Sequence, residues 1–113
     1  MTVEKVIIVE GGADKKRIAR ILAEPVEIIC TNGTVSPYRL EELLEPYEEW
    51  DLFVFVDADE SGDKIRDLFK REFPAAIHLY TEKVYREVET TPYKVLAGIL
   101  LGADFKVRPE FLL

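Results

Sequence analysis

A chain of 113 residues with 48% apolar and 33% charged side chains is long enough for one domain with a real core, and too apolar to remain disordered. A formal net charge of -7 excludes tight binding of duplex nucleic acid by charge alone, because such binding sets Lys and Arg against phosphates. The single cysteine, Cys30, excludes an intramolecular disulfide framework. Taken in order, Val3 to Val9 reads as a first strand whose run Val6-Ile7-Ile8-Val9 stops at Glu10-Gly11-Gly12, where glycine lets the backbone turn sharply. Asp14 is expected to cap a first helix with Ile18, Ile21 and Leu22 at helical spacing, ended by Pro25. Val26 to Cys30 is a second strand finishing in Thr31-Asn32-Gly33-Thr34, a turn in which Asn and Gly tolerate positive φ. Ser36-Pro37 supplies a cap and a first-turn proline for a second helix striped by Leu40, Leu43, Leu44 and Tyr47.

Leu52 to Val56 is an unbroken apolar run of the kind that forms a strand buried on both faces. Asp57, Asp59, Glu60 and Asp63 follow it, then a third helix marked by Ile65, Leu68, Phe69 and Phe73 and closed by Pro74. Ala75 to Tyr80 is the fourth strand, and Lys83 to Glu89 reads as a long loop or a short edge strand. Thr91-Pro92 repeats the cap-plus-proline signal before a fourth helix carrying Val95, Leu96, Ile99 and Leu100, with Gly102 expected as its C-terminal cap. The apolar tail FKVRPEFLL either packs back on the domain, the ordinary outcome for a small domain, or meets another protein. Strands alternating with helices imply an α/β fold, a four-stranded parallel sheet with right-handed crossovers and helices on both faces. Residues 1–113 form one domain, with no repeat or linker. No stretch reaches membrane-spanning length and the opening apolar run is too short for a signal core, so a soluble protein of the reducing cytoplasm is expected.

The carboxyl ends of parallel strands share one edge, where ligands bind in open α/β sheets. Glu10 ends the first strand, Asp57 and Asp59 end the third, and the three carboxylates converge if those strands are neighbours. In an extended segment Asp57 and Asp59 point to the same side and repel unless a cation or a proton lies between them; a divalent metal is the simplest resolution. A bare D-x-D is more often a solvated turn whose aspartates cap the next helix. The TNGT turn adds backbone amides and small hydroxyls to the same edge.

VEGGADKKRIARIL, then CTNGT, then VDADESGDKIR resemble, in combination and order, the Toprim domain of topoisomerases, bacterial primases, recombination-repair proteins and certain nucleases. The spelling is most similar to the Toprim half of the ribonuclease that matures a small ribosomal RNA and to stand-alone small Toprim proteins. The match covers about residues 1–80, leaving the C-terminal helix and tail, 91–113, outside it. The resemblance implies a Rossmann-like fold, Glu10 as the general acid or base at the attacking or departing oxygen, and Asp57 and Asp59 as holders of Mg²⁺, with Mn²⁺ as a substitute and Glu10 beside the metal. Gly11 allows close backbone approach, Asp14 is either a supporting group behind the acids or merely a cap, the cap being favoured, and Asn32, Gly33, Glu60, Lys64 and Glu89 are further residues of interest at that edge. Where many topoisomerases carry a third acid two positions after D-x-D, this chain has Ser61, with Glu60 beside it pointing the other way. Strand passage and primer synthesis are excluded on size.

Two functions compete on this sequence. One is Mg²⁺-dependent phosphodiester chemistry on RNA or DNA by a nuclease-like enzyme; the other is a catalytically silent module that holds metal and recruits a partner. Affinity for nucleic acid is expected to be weak for the chain alone, with a second copy or another protein docking on the C-terminal tail. The remaining singular residues have ordinary explanations: His78 as a core or surface residue of strand four, Cys30 as an inert buried thiol, and Lys64 and Arg66 as cations on a solvated helix surface.

Overall fold

The computed structural model describes residues 4–33, 35–81 and 84–113. Val3, Thr34 and Lys83, each used in the sequence reading, lie outside the described residues. Four parallel strands, β1 (Lys5–Val9), β2 (Glu27–Cys30), β3 (Asp51–Phe55) and β4 (Ile77–Leu79), form one sheet in the order β2-β1-β3-β4. The expected strands one and three are therefore neighbours, with Ile8 opposite Val54. Because β1 is flanked by β2 on one side and β3 on the other, the chain reverses its winding direction between β1 and β3. That reversal opens a crevice at the carboxyl ends of these two strands, the place where α/β sheets take ligands.

Helices cover both faces, as the alternation of elements requires. On one face, Val6, Ile8, Val54 and Val56 pack against Leu40 and Leu44 of α2 (Pro37–Leu44) and Ile65, Leu68 and Phe69 of α3 (Glu60–Glu72). On the other, Ile7, Val9, Phe53 and Phe55 pack against Ile18 and Ile21 of α1 (Gly12–Ile21) and Leu96, Ala97 and Leu100 of α4 (Tyr93–Gly102). Period-two alternation sends successive residues of each central strand into opposite cores, which is why both runs are continuously apolar.

Helix ends show where the sequence reading shifts by a residue or two. Ser36 caps α2 as expected, its hydroxyl accepting from Arg39 N at 3.1 Å with Pro37 at the first position. α1 starts two residues before Asp14: Gly11 is the N-cap, and the Asp14 carboxylate reaches back to accept from Gly11 N at 3.2 Å. Thr91 does not cap α4, because Pro92 takes that place and the Thr91 hydroxyl donates to Glu87 O at 2.6 Å. Gly102 is the last helical residue, and Asp104, at φ 68, makes the left-handed turn beyond Ala103. There Phe105 N donates to Leu100 O and Asp104 N to Leu101 O, both at 3.0 Å, which closes the helix with a Schellman pair.

Residues 84–90 form turns, so the strand alternative for this stretch does not hold among the described residues. The tail packs back. Phe105 and Val107 are buried in the α1–α4 core, Val107 bridges Leu22, Phe111 lies against Tyr93, and a short 3-10 helix spans Pro109–Leu112. Its apolar side chains are committed to this domain's own core, which leaves Leu113, 92% exposed, as the projecting apolar residue of the last turn.

Candidate metal and phosphodiester site

The crevice between β1 and β3 is built from carboxylates that each hold a backbone amide. Glu10 directly follows β1, and its Oε1 accepts from Asp57 N at 2.9 Å, which ties the ends of the two central strands together. Its Oε2 lies 3.4 Å from the Ser61 hydroxyl, so the residue standing where many topoisomerases carry a third acid donates a hydrogen bond to the first. Asp57 Oδ1 accepts from Val88 N at 2.8 Å, and Ala58 N donates to Arg86 O at 2.6 Å, drawing the 84–90 turn onto the D-x-D loop. Asp59 is the N-cap of α3, its Oδ1 accepting from Gly62 N at 2.7 Å. The capping role considered for the D-x-D is thus real for Asp59, while Asp57 serves the late turn.

Gly62 explains how tightly this loop is wound. A Cβ on it would lie 1.9 Å from the Asp57 carbonyl oxygen, so only hydrogen at this position lets α3 start against the end of β3. The second-strand turn joins the edge through its backbone. Thr31 N donates to Val9 O and Asn32 N to Glu10 O at 2.7 Å, and Asn32 and Gly33 take φ values of 57 and 103.

Burial and mutual repulsion act on these groups together. Desolvation raises the Glu10 carboxyl above its usual range, opposed by the Asp57 amide and reinforced by the charges of Asp57 and Asp59. Desolvation also raises Asp57, with Val88 N opposing it and Asp59, Glu87 and Glu89 adding repulsion. Asp14, 7% exposed, is raised to about 6, by desolvation first and by Asp57 second. An edge on which Glu10, Asp14 and Asp57 are all raised by burial and by neighbouring charge is one that a cation would relieve.

The donor set fits a hard divalent ion. Asp57 and Asp59 each spend Oδ1 on a backbone amide, and their Oδ2 atoms make no hydrogen bond among the described residues. Mg²⁺ is held by one or two carboxylates with waters and substrate phosphate, which matches two oriented aspartates better than a dedicated cage. The tighter expectation, three carboxylates drawn within reach of one ion, is not met: among the described residues no group of three His, Cys, Asp or Glu side chains is assembled for a metal. Like charges that close repel, and in this structure each carboxylate turns to a backbone donor instead.

The other residues of interest divide. Gly11, as the N-cap of α1, and Asn32 and Gly33, as the turn, stand at the edge. Glu60 and Lys64 are exposed and pair with each other at 3.8 Å along α3, away from the crevice. Glu89 is exposed at the rim, where its charge reaches Asp14 and Asp57 and its carbonyl accepts from Arg17 at 2.5 Å.

Sequence reasoning preferred a helix cap to a supporting place behind the acids for Asp14, and misplaced Arg66. Far from being a surface cation, Arg66 is 4% exposed, donating to Val56 O at 3.0 Å and Leu79 O at 2.6 Å and meeting His78 Nδ1 at 3.1 Å. Burial lowers its pKa, which Tyr80 first and then the Asp63 and Glu10 carboxylates offset in part. The available signal was spacing: Arg66 follows Gly62 by four, placing it directly below the close approach on the sheet side of α3.

Comparison with known proteins agrees with this geometry. The Toprim domain model matches residues 5–90. The small TOPRIM domain protein from Bacillus stearothermophilus superposes with a TM-score of 0.95 at 53% identity, over 100% of this chain and 96% of that one. "Uncharacterized protein YusF" of Bacillus subtilis (strain 168) is 50% identical over 109 residues, 96% of this chain and 75% of that protein. "Ribonuclease M5 1" of Ligilactobacillus salivarius (strain UCC118) is 33% identical over 74% of this chain, and the match spans 44% of the ribonuclease. With the strand order, the acid-ended central strands and a family match across most of its length, this chain belongs to the Toprim family.

Proposed function

We propose that this Toprim protein carries out Mg²⁺-dependent cleavage of phosphodiester bonds in RNA or DNA, with Asp57 and Asp59 holding the metal and Glu10 moving the proton at the attacking or departing oxygen. The observation that supports this reading is the bond from Asp57 N to Glu10 Oε1 at 2.9 Å, which ties Glu10 to the loop that carries the two aspartates. The ion, when bound, supplies a polarised phosphoryl oxygen and an activated water. Everything else falls to the chain's own residues. Ser61 and Asp57 N orient the Glu10 carboxylate, the Val88 and Gly62 amides orient the aspartates, and Asn32 and Gly33 offer a turn on which a nucleic-acid backbone can rest. Mn²⁺ has the same hard-oxygen preference and substitutes in this reading. Similarity to Ribonuclease M5 favours a nuclease over other Toprim chemistries, and a cytoplasmic setting accords with a chain whose described helices include none long and apolar enough to cross a membrane.

A second reading is favoured by one observation: Asp59 already caps α3 and Asp57 already holds Val88, roles a silent metal-binding or partner-binding module would keep. Cleavage of structured RNA, single-stranded DNA and duplex DNA with Mg²⁺ or Mn²⁺ separates the two. The first reading expects metal-dependent products, and a rate lowered by about 10²-fold or more in Glu10→Gln. Absence of products from every substrate, with the metal still bound, would leave the module.

A further inference from the structure

We propose that Tyr80 is a stacking platform for an unpaired nucleobase of the strand whose phosphate lies at the acid edge. The inference rests on the nucleic-acid reading above and names the substrate class, single-stranded RNA or DNA. β4 is the outer strand of the sheet, and Leu79 pairs with Phe55. Carrying the ladder one step further sets Tyr80 beside Val56, about 6 Å in Cα from Asp57 by strand spacing and rise. Tyr80 therefore stands at the same carboxyl edge as the acids, on the flank opposite the TNGT turn.

Tyr80 is 56% exposed, yet its ring is not loose. The Arg66 guanidinium lies 4.0 Å from its centroid, and the His78 ring stacks 6.4 Å away at 26°. Arg66 is itself locked by the Val56 and Leu79 carbonyls and by His78, and it enters no ion pair among the described residues. The ring is thus backed by a buried cation held by its own hydrogen bonds, while more than half of the residue's surface stays open to solvent. A base adding to that open surface completes a cation–ring–base stack without freezing a mobile side chain, so little ordering cost opposes it. Tyr38, at 76% exposure, has no such backing among the described residues.

Stacking also answers the charge problem. A net charge of -7 disfavours holding a polyanion by charge alone, whereas base stacking is available to any unpaired nucleotide and does not depend on net charge.

The test uses short single-stranded DNA and RNA oligonucleotides with one 2-aminopurine, their duplexes, and the same strands with that base replaced by an abasic linker, in Mg²⁺. Wild-type protein is expected to quench the probe in single strands, with Tyr80→Ala weakening binding about 5- to 100-fold and Tyr80→Phe preserving it. The abasic strand should bind wild type as weakly as the intact strand binds Tyr80→Ala, with no further loss when both changes are combined. The DNA and RNA arms report which strand is preferred. Since the abasic arm alters only the ligand, it decides the matter even if Tyr80→Ala disturbs Arg66. Equal affinity of wild type for intact and abasic strands would overturn the proposal. Stacking without cleavage would overturn only the nuclease reading, and Glu10-dependent cleavage with binding indifferent to Tyr80 and to the base would overturn only the platform.

Discussion

Two regions of this molecule are rich in carboxylates, and they behave as different materials. Along α2 and the following turn, Glu41, Glu42, Glu45 and Glu48 are exposed, rimming a groove of about 600 Å³ floored by Leu44, Leu52 and Phe73. Glu42 pairs with Arg39 there, and the others face solvent, which screens their repulsion. At the carboxyl ends of β1 and β3, Glu10, Asp57 and Asp59 are half-buried and Asp14 is buried; each holds a backbone amide, Glu10 and Asp57 one from a distant segment and Asp59 and Asp14 one at the start of their own helices. Counting charge along the sequence ranks the α2 region first. Tethering and burial, not count, are what make acids into a site, because only desolvated carboxylates in fixed positions repay a cation for its lost water.

The largest expected effect concerns the tether. Gly62→Ala places a methyl group 1.9 Å from the Asp57 carbonyl oxygen, so the start of α3 must move away from β3. Chemical denaturation should show a loss of about 3 kcal/mol or more, while Gly98→Ala, where a Cβ meets nothing within 4 Å, should gain up to about 1 kcal/mol. Equal, small effects at both glycines would mean that the acid edge is not held by that close approach.

The next effect concerns pH. Asp14 is raised from 3.8 to about 6, so in the metal-free protein the folded state binds this proton more tightly than the unfolded state does. Its contribution is fully present below about pH 4 and is lost as pH rises through about 6. Asp14→Asn keeps an acceptor for Gly11 N and removes the charge, so at pH 7 it should add about 1 to 2 kcal/mol after allowance for solvent at the cleft, and nothing at pH 4. Glu45→Gln on the exposed helix should change stability by less than about 0.5 kcal/mol at either pH. Thermal unfolding of both variants across that range checks the contrast.

Much of this was legible from the chain because buried parallel strands leave continuous apolar runs, and the residue that ends each run must sit on the ligand-bearing edge. Glu10, Asp57 and Asp59 could be placed there without coordinates. Asp14 could not be joined to them, since a carboxylate in the first turn of a helix looks the same whether it faces water or a crevice. Arg66 was misread for a related reason: arginine is usually solvated, and the Val56 and Leu79 carbonyls and His78, whose approach is invisible in sequence, satisfy its donors inside the fold. The tail was ambiguous because apolar side chains do not say which surface they cover. The groups on Asp57, the Val88 amide above all, come from a turn whose sequence carries no strand or helix period, and tertiary contact alone brings it to the site.

The most direct measurement is the melting temperature of the metal-free protein against rising Mg²⁺ and Mn²⁺, run beside the double variants Asp57→Asn/Asp59→Asn and Glu41→Gln/Glu45→Gln. A cation held at the tethered edge should raise the wild-type midpoint by about 4 to 8 °C for each ~1 kcal/mol of binding, an increase retained by the Glu41/Glu45 variant and abolished in the Asp57/Asp59 variant. An increase that survives loss of Asp57 and Asp59 but disappears with Glu41 and Glu45, or no increase in any protein, would contradict it.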